Sequence, residues 1–207
     1  MVYLILLSGA LAYLLGSINT SIIVSACLGT DVRKSGSGNA GATNTLRTLG
    51  KLPALIVVLG DIAKGVLAIL LARLLLRLFP VHIISRLPEY AAALCVVLGH
   101  NFPIYFGFKG GKGILTSLAV VLMLDWRIGL IVLVVSVIII ASTRFVSLGS
   151  CIGSIVFPIC VLLFHMGDWY LIGLSLLMAA LALFMHRQNI VRLMRGTESQ
   201  ISFHKKG

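Results

Sequence analysis

Residues 54–79 read ALIVVLGDIAKGVLAILLARLLLRLF, an apolar run interrupted by charge only at Asp61, Lys64, Arg73 and Arg77. Its length answers the roughly 20 apolar residues that a helix needs to cross a hydrocarbon core of roughly 30 Å. Runs of the same character recur on both sides, at 3–28, 89–104, 113–124, 127–142, 149–165 and 169–185. The reading is an all-α integral membrane protein of about seven transmembrane helices with polar loops between them. Several runs are short for a straight crossing, 113–124 most of all, so they must thin the bilayer, borrow flanking residues or re-enter. Asp61 and Lys64, three apart, are costly in such a frame unless they pair or face the bundle interior. The default is a mutual pair on one helix face near the interface, with a functional relay as the second reading.

Composition agrees with the frame. The 207 residues are 59% hydrophobic and 11% charged, mean hydropathy is +1.08, and an ordinary soluble domain carries about 25% charged residues. Apolar runs leave no room for a sizeable aqueous domain, so one polytopic domain over 1–207 is expected. The chain opens Met1-Val2-Tyr3 without a basic lead, and the first run reads as a retained span rather than a removable signal. Cys27, Cys95, Cys151 and Cys160 sit in apolar runs without CxxC or Cys/His ligand spacing. Disulfides and zinc therefore lack support, and all four are expected as small buried residues.

Lys and Arg are retained on the cytoplasmic side during insertion. With seven spans, segments 29–53, 105–112, 143–148 and 186–207 share one side. They hold Arg33, Lys34, Arg47, Lys51, Lys109, Lys112, Arg144, Arg187, Arg192, Arg195, Lys205 and Lys206, against Arg73, Arg77, Arg86 and Arg127 on the other. Twelve against four makes the first side cytoplasmic and the N-terminus external. Insertion and attraction to anionic membrane lipids account for much of the net charge of +11, and no nucleic-acid partner is expected. They do not explain why Ser, Asn, Thr, His and Gly cluster on that same side.

The first polar cluster is Ser35-Gly36-Ser37-Gly38-Asn39-Ala40-Gly41-Ala42-Thr43-Asn44, followed by Arg47. Its glycines allow tight turns and close approach, and successive N–H groups and hydroxyls can encircle phosphate oxygens beside the Arg47 charge. Gly36, Gly38 and Gly41 spell GxGxxG, but hydrophobic spans on both sides replace the βαβ unit that a dinucleotide fold needs. The second cluster runs Gly99-His100-Asn101-Phe102-Pro103 to Phe108-Lys109-Gly110-Gly111-Lys112-Gly113. It fails as a Walker A loop, with Phe106 where the first Gly belongs and Gly113 after the Lys. What remains is an anion site at a helix N-terminus, with Lys109 and Lys112 as point charges. In the third, His186-Arg187-Gln188-Asn189-Ile190-Val191-Arg192, the helical spacing puts His186, Asn189 and Arg192 broadly on one face. Thr143-Arg144-Phe145-Val146-Ser147 is a short polar turn, and His82, His165 and His204 read as loop residues without a role.

Three strings, SGSGNAGATNTLR, GHNFPIYFGFKGGKG and HRQNIVRLMRGTE, in this order and with Ser147 between the last two, resemble the PlsY family of acyl-phosphate:glycerol-3-phosphate acyltransferases. The resemblance extends over essentially the whole chain. It implies a seven-span fold in the bacterial cytoplasmic membrane with a cytoplasmic site. The reaction implied is acyl transfer from acyl phosphate to the 1-hydroxyl of sn-glycerol 3-phosphate, yielding lysophosphatidic acid and inorganic phosphate. No cofactor, coenzyme A or metal is implied, and the donor would come from the soluble partner PlsX. Ser37, Gly38, Asn39, Gly41, Thr43 and Arg47 would hold the donor's phosphate, and Lys109, Gly110, Gly111 and Lys112 would bind glycerol 3-phosphate. His186, Asn189 and Arg192, with Ser147 nearby, would complete the centre. Asn44, His100 and Glu198, in the same strings, are counted with the substrate-binding residues, and His186, Asn189, Lys109 and Ser147 with the catalytic ones.

Both substrates are dianionic, so a cationic, N–H-rich pocket favours their binding and the charge that develops in transfer. The attacking hydroxyl's proton has two candidate acceptors, His186 and the donor's own phosphate. No Ser or Cys stands beside a His–acid pair, which points to direct transfer without an acyl-enzyme. No histidine has Asp five positions on, which excludes the HxxxxD class of glycerolipid acyltransferases. The rival from another class is a small carrier for organic phosphates. It calls for substrate groups at bilayer depth and an internal repeat, and neither is evident.

Overall fold

The structure, a computed structural model, describes residues 1–79 and 85–201. His82, His204, Lys205 and Lys206 lie outside the described residues. Among those described, the chain is helical throughout: α1 (Val2–Ser17), α2 (Thr20–Cys27), α3 (Ala42–Leu49), α4 (Lys51–Leu78), α5 (Leu87–Asn101), α6 (Ile114–Leu124), α7 (Trp126–Thr143), α8 (Val146–Phe164), α9 (Trp169–Met185) and α10 (Arg187–Met194). Short 3-10 turns stand at Val32–Lys34 and Ile104–Phe106. The chain forms two compact units, Met1–Leu124 and Asp125–Gly207.

Each expected apolar run is helical, and 169–185 coincides with α9. The first run is broken in two. Ile18 leaves helical geometry, and Asn19 then caps α2 by accepting a hydrogen bond from the Ile22 amide at 3.1 Å, as an Asx residue does at a helix start. Helices long and apolar enough to cross a membrane number four among the described residues, Val2–Cys27 counting as one, or five if the α9–α10 pair, bent by 61°, is one broken span. That is fewer than the seven expected. At 1.5 Å per residue, α5 and α6 reach only about 22 Å and about 17 Å.

In the first unit α1 lies along α5, and α4 packs against α1, α2, α3, α5 and α6. The α1–α5 contact is backbone against backbone. A Cβ on Gly16 would strike the Val96 carbonyl, and one on Gly99 would strike the Tyr13 carbonyl and lie 2.8 Å from the Ser17 amide. On α4, a Cβ at Gly60 would stand 2.5 Å from Thr20 Oγ1, and one at Gly65 would stand 2.9 Å from Ala119 Cβ. Small residues at such crossings let membrane helices gain dispersion contact where lipid removes the hydrophobic drive. The far end of α6 is capped by arginines: Arg73 donates to the Met123 carbonyl and Arg86 to the Leu124 carbonyl, while Glu89 pairs with both. These cations satisfy orphan carbonyls at the negative helix end.

In the second unit α8 packs on α7 and α9. Asp125 and Asp168 cap α7 and α9 through the amides of Arg127 and Leu171. His165 is not idle, because its Nε2 lies 2.7 Å from Asp125 Oδ2 and ties the end of α8 to the start of α7. The hydrogen bond from Arg127 draws the Asp125 carboxyl far below its usual range, and His165 adds to this. Large apolar side chains stay exposed on α4 (Leu55, Leu59, Leu67, Leu74) and α7 (Val134, Val137, Ile138), the surface a multi-pass protein presents to acyl chains. The expectation of four buried cysteines holds for Cys151 and Cys160. Cys95 is half-buried, and Cys27 is exposed at the end of α2.

The glycine contact gives a direct expectation. Gly99→Ala forces the α1 and α5 backbones apart and lowers stability by roughly 1–3 kcal/mol, as overpacking does. Gly173→Ala, where nothing lies within 4 Å of the new methyl, leaves stability unchanged or slightly raised. Thermal unfolding of the detergent-solubilised protein compares the two; equal midpoints would refute the close α1–α5 approach.

Candidate active site

The first cluster turns on Asn44. Its side chain is 1% exposed; Oδ1 accepts from the Ser37 amide at 2.8 Å, and Nδ2 donates to the Val32 carbonyl at 2.9 Å and the Ser35 carbonyl at 3.0 Å. Gly36, at φ +60°, lies so close that a Cβ would strike Asn44 Oδ1; a left-handed residue without a side chain is required there. Thr45 anchors the start of α3, bonding Ser21 on α2 at 2.9 Å and the Gly41 carbonyl at 3.1 Å. Drawn in this way, the loop leaves Ser37, Gly38 and Arg47 exposed and Asn39, Gly41 and Thr43 half-buried. No side chain caps α3, whose first turn follows Gly41 directly, so its leading amides are the kind of group that receives an anion.

The second cluster folds back on the end of α5. The Gly111 amide donates to the His100 carbonyl at 3.1 Å and the Gly110 amide to the Asn101 carbonyl at 3.2 Å. Lys109 projects as an exposed side chain, Lys112 is half-buried, and α6 begins just beyond Gly113. The two clusters meet at Gly111, where a Cβ would strike both the His100 ring at Nε2 and the Ala40 carbonyl. A second tie comes from Arg33, whose Nη1 donates to the Phe106 carbonyl at 3.2 Å while its other nitrogens hold Asp31. The hydrogen bond from the Arg33 side chain lowers the Asp31 carboxyl below its usual range. Phe106 packs on Ile22, Val32 and Ala40 beneath the loop.

Asp61 and Lys64 pair as expected, Nζ to Oδ1 2.9 Å, but inside the unit, with side chains 3% and 4% exposed. The pair has a partner that spacing alone did not reveal, since Lys64 Nζ also stands 2.8 Å from His100 Nδ1.

In the second unit Glu198 is the hub. Oε1 accepts from Ser147 Oγ at 2.7 Å and Asn189 Nδ2 at 2.6 Å, and Oε2 accepts from Arg192 Nε at 2.7 Å. Gly196, at φ +67°, reverses the chain after α10 so that Glu198 returns to that helix. Asn189 and Arg192 therefore share a face, as their spacing predicts. His186 stands at the α9–α10 bend, 3% exposed, with Nδ1 2.8 Å from the Ala182 carbonyl. A carbonyl only accepts, so Nδ1 carries the proton and Nε2 is the basic nitrogen of the neutral ring.

Three of the residues expected in the substrate-binding set make hydrogen bonds within the protein: Asn44 to its own loop, His100 through Nδ1 to Lys64, and Glu198 to Ser147, Asn189 and Arg192. Arg33 was not counted among the candidates, and neither was Asn101, whose buried Oδ1 lies 2.7 Å from where a Cβ on Gly113 would stand.

Burial works to raise the Glu198 carboxyl, but hydrogen bonds from Asn189, Arg192 and Ser147 and the Arg192 charge override it and hold it below its ordinary 4.5. A depressed folded value stabilises above the unfolded pKa, and that stabilisation is lost as pH falls through the folded one. Glu198→Gln is expected to lower stability by roughly 1–3 kcal/mol at neutral pH and to flatten the fall in unfolding midpoint on acidification. An unchanged acid limb would contradict the hub.

Residues 6–196 match the family model described as glycerol-3-phosphate acyltransferase. A glycerol-3-phosphate acyltransferase of Clostridioides difficile strain 630 is 44% identical over 196 residues, 94% of each chain. One from Shouchella clausii is 45% identical over 195 residues, 91% of this chain and 92% of the relative. The crystal structure of PlsY, an integral membrane glycerol 3-phosphate acyltransferase, superposes in its glycerol 3-phosphate form with a TM-score of 0.86 at 35% identity, covering 96% of each chain. Its lysophosphatidic acid form gives 0.83 at 34% identity, covering 96% of this chain and 95% of that one.

Proposed function

We propose, because the chain belongs to the glycerol-3-phosphate acyltransferase family of PlsY type, that it transfers a fatty acyl group from acyl phosphate to the 1-hydroxyl of sn-glycerol 3-phosphate. The products are lysophosphatidic acid and inorganic phosphate. The observation that carries this reading is the junction at Gly111 of two glycine-rich turns edged by Arg47, Lys109 and Lys112. Two phosphates need two sets of amides and cations, and an apolar frame suits a donor that is half lipid.

Ser37, Gly38, Asn39, Gly41, Thr43 and Arg47 hold the donor's phosphate, and Lys109, Gly110, Gly111 and Lys112 hold glycerol 3-phosphate. Asn44 and His100 keep these groups in place, and Glu198 does the same for Ser147, Asn189 and Arg192. The 1-hydroxyl oxygen forms the new ester bond to the acyl carbon while the bond from that carbon to phosphate oxygen breaks, and the electron pair leaves with phosphate. Amides and cations around the leaving group stabilise that charge. His186, Asn189, Ser147 and Arg192 serve the transfer step. Nε2 of His186 and the departing phosphate are both chemically competent to take the hydroxyl proton. His186→Gln with most of kcat retained assigns the proton to phosphate; a fall of about 10²–10⁴ assigns it to His186.

The protein is a multi-pass membrane acyltransferase. Its place under this reading is the bacterial cytoplasmic membrane, with the N-terminus outside and the active-site loops and C-terminus cytoplasmic, as the distribution of Lys and Arg favours. Single polytopic organisation over 1–207 belongs to the same reading, and the soluble acyl-phosphate synthase PlsX is the partner that supplies the donor.

The test uses purified protein with glycerol 3-phosphate and palmitoyl phosphate, and palmitoyl-coenzyme A as a parallel donor. Phosphate release matched by lysophosphatidic acid from acyl phosphate alone is the expected result. Product only from coenzyme A would overturn the donor, and no product from either would return the carrier reading to the front.

A further inference from the structure

We infer that Asp61, Lys64 and His100 form a buried positioning triad for the Gly110–Gly111 turn, and that affinity for glycerol 3-phosphate depends on it. The inference rests on the assignment of that turn to glycerol 3-phosphate made above.

An Asp and a Lys three apart on a helix can satisfy each other without further help. Here the ammonium reaches beyond its own helix. Lys64 Nζ stands 2.9 Å from Asp61 Oδ1, 2.8 Å from His100 Nδ1, and 3.2 Å from both the Gly16 and Ile18 carbonyls, where α1 ends. An ammonium only donates, so Nδ1 of His100 accepts and the ring proton resides on Nε2. Nε2 is the atom that a side chain at Gly111 would strike. The same residue's carbonyl accepts the Gly111 amide. His100 thus holds the turn through its backbone and stands behind it with its ring, while Lys64 fixes the ring's tautomer and height, and Asp61, 3.5 Å from Nδ1, balances the charge. All three side chains are at most 4% exposed, which suits holding the turn from behind. Burying this much polarity inside an apolar bundle is expensive unless every group is engaged, and a pair needed only for packing has no reason to meet the back of a glycine turn.

The test measures both Michaelis constants, and equilibrium binding of radiolabelled glycerol 3-phosphate, for detergent-purified variants that remain monodisperse. His100→Leu and the paired Asp61→Asn/Lys64→Met, which removes both charges together, are expected to raise KM and Kd for glycerol 3-phosphate by about tenfold, the scale of one well-made hydrogen bond. KM for acyl phosphate should stay within about twofold, because the first loop is held by its own Asn44 amide. His100→Gln, whose oxygen can accept from Lys64 while its nitrogen donates toward the turn, should recover most of the affinity. Variants that fold and keep both constants would overturn the triad. So would an equal rise in both constants, or unfolding of every variant, His100→Gln included, which would make the cluster a stability element. A wild-type protein inactive with glycerol 3-phosphate, by contrast, would defeat the functional reading itself.

Discussion

A polar group enclosed by apolar helices has no water to turn to, and every donor and acceptor must find a partner within the protein. Three enclosed groups bear this constraint here, and the architecture around the candidate site follows from them. The Asn44 amide gathers one loop around itself. Lys64, between Asp61 and His100, joins the end of α1 and the middle of α4 to the end of α5. Glu198 gathers Ser147, Asn189 and Arg192. In the first two cases the enclosed group is not the one presented outward: it fixes a turn whose other residues, Ser37, Gly38 and Arg47 in the first loop and Lys109 in the second, remain accessible.

This division of labour suits the proposed acyl transfer from an acyl phosphate to a phosphate monoester. Such a reaction needs little covalent chemistry from the protein and much positioning of charge, and preorganised amides and cations reduce the reorganisation needed as the leaving phosphate develops its charge. Glycine supplies the close approach at Gly36 and at Gly111, one in a left-handed turn and the other where the two loops touch. The membrane frame contributes the second half, since α4 and α7 offer long apolar surfaces. A soluble pocket for the same donor would have to enclose its acyl chain.

Much of this was legible in the sequence because it depended on local signals. Among the described residues run length marked the apolar helices, with α1 and α2 read as one run, and 169–185 was placed to the residue. The three polar clusters stood out by composition, and spacing put Asn189 and Arg192 on one face. What escaped depended on contacts between residues far apart in the chain. The first run divides because Asn19 caps a new helix, a signal hidden by the apolar residues around it. Asn44, His100 and Glu198 were read inside their motifs, and the hydrogen bonds they make to Val32, Ser35 and Ser37, to Lys64, and to Ser147 could not be read there, because no periodicity links those pairs. The Asp61–Lys64 spacing revealed the ion pair, while its third member lies on another helix. Seven crossings were expected by counting runs, and among the described residues four or five helices are long and apolar enough to cross, because a helix as short as α6 falls below that length.

The central claim is that phosphate esters bind at the glycine turns rather than at bilayer depth. Hydrogen exchange of the purified protein, with and without saturating glycerol 3-phosphate, tests it most directly. The account predicts slowed exchange at the backbone amides of 107–113, with the interior of α4 unchanged. Protection confined to the helix interiors, with the turn exchanging as before, would contradict it.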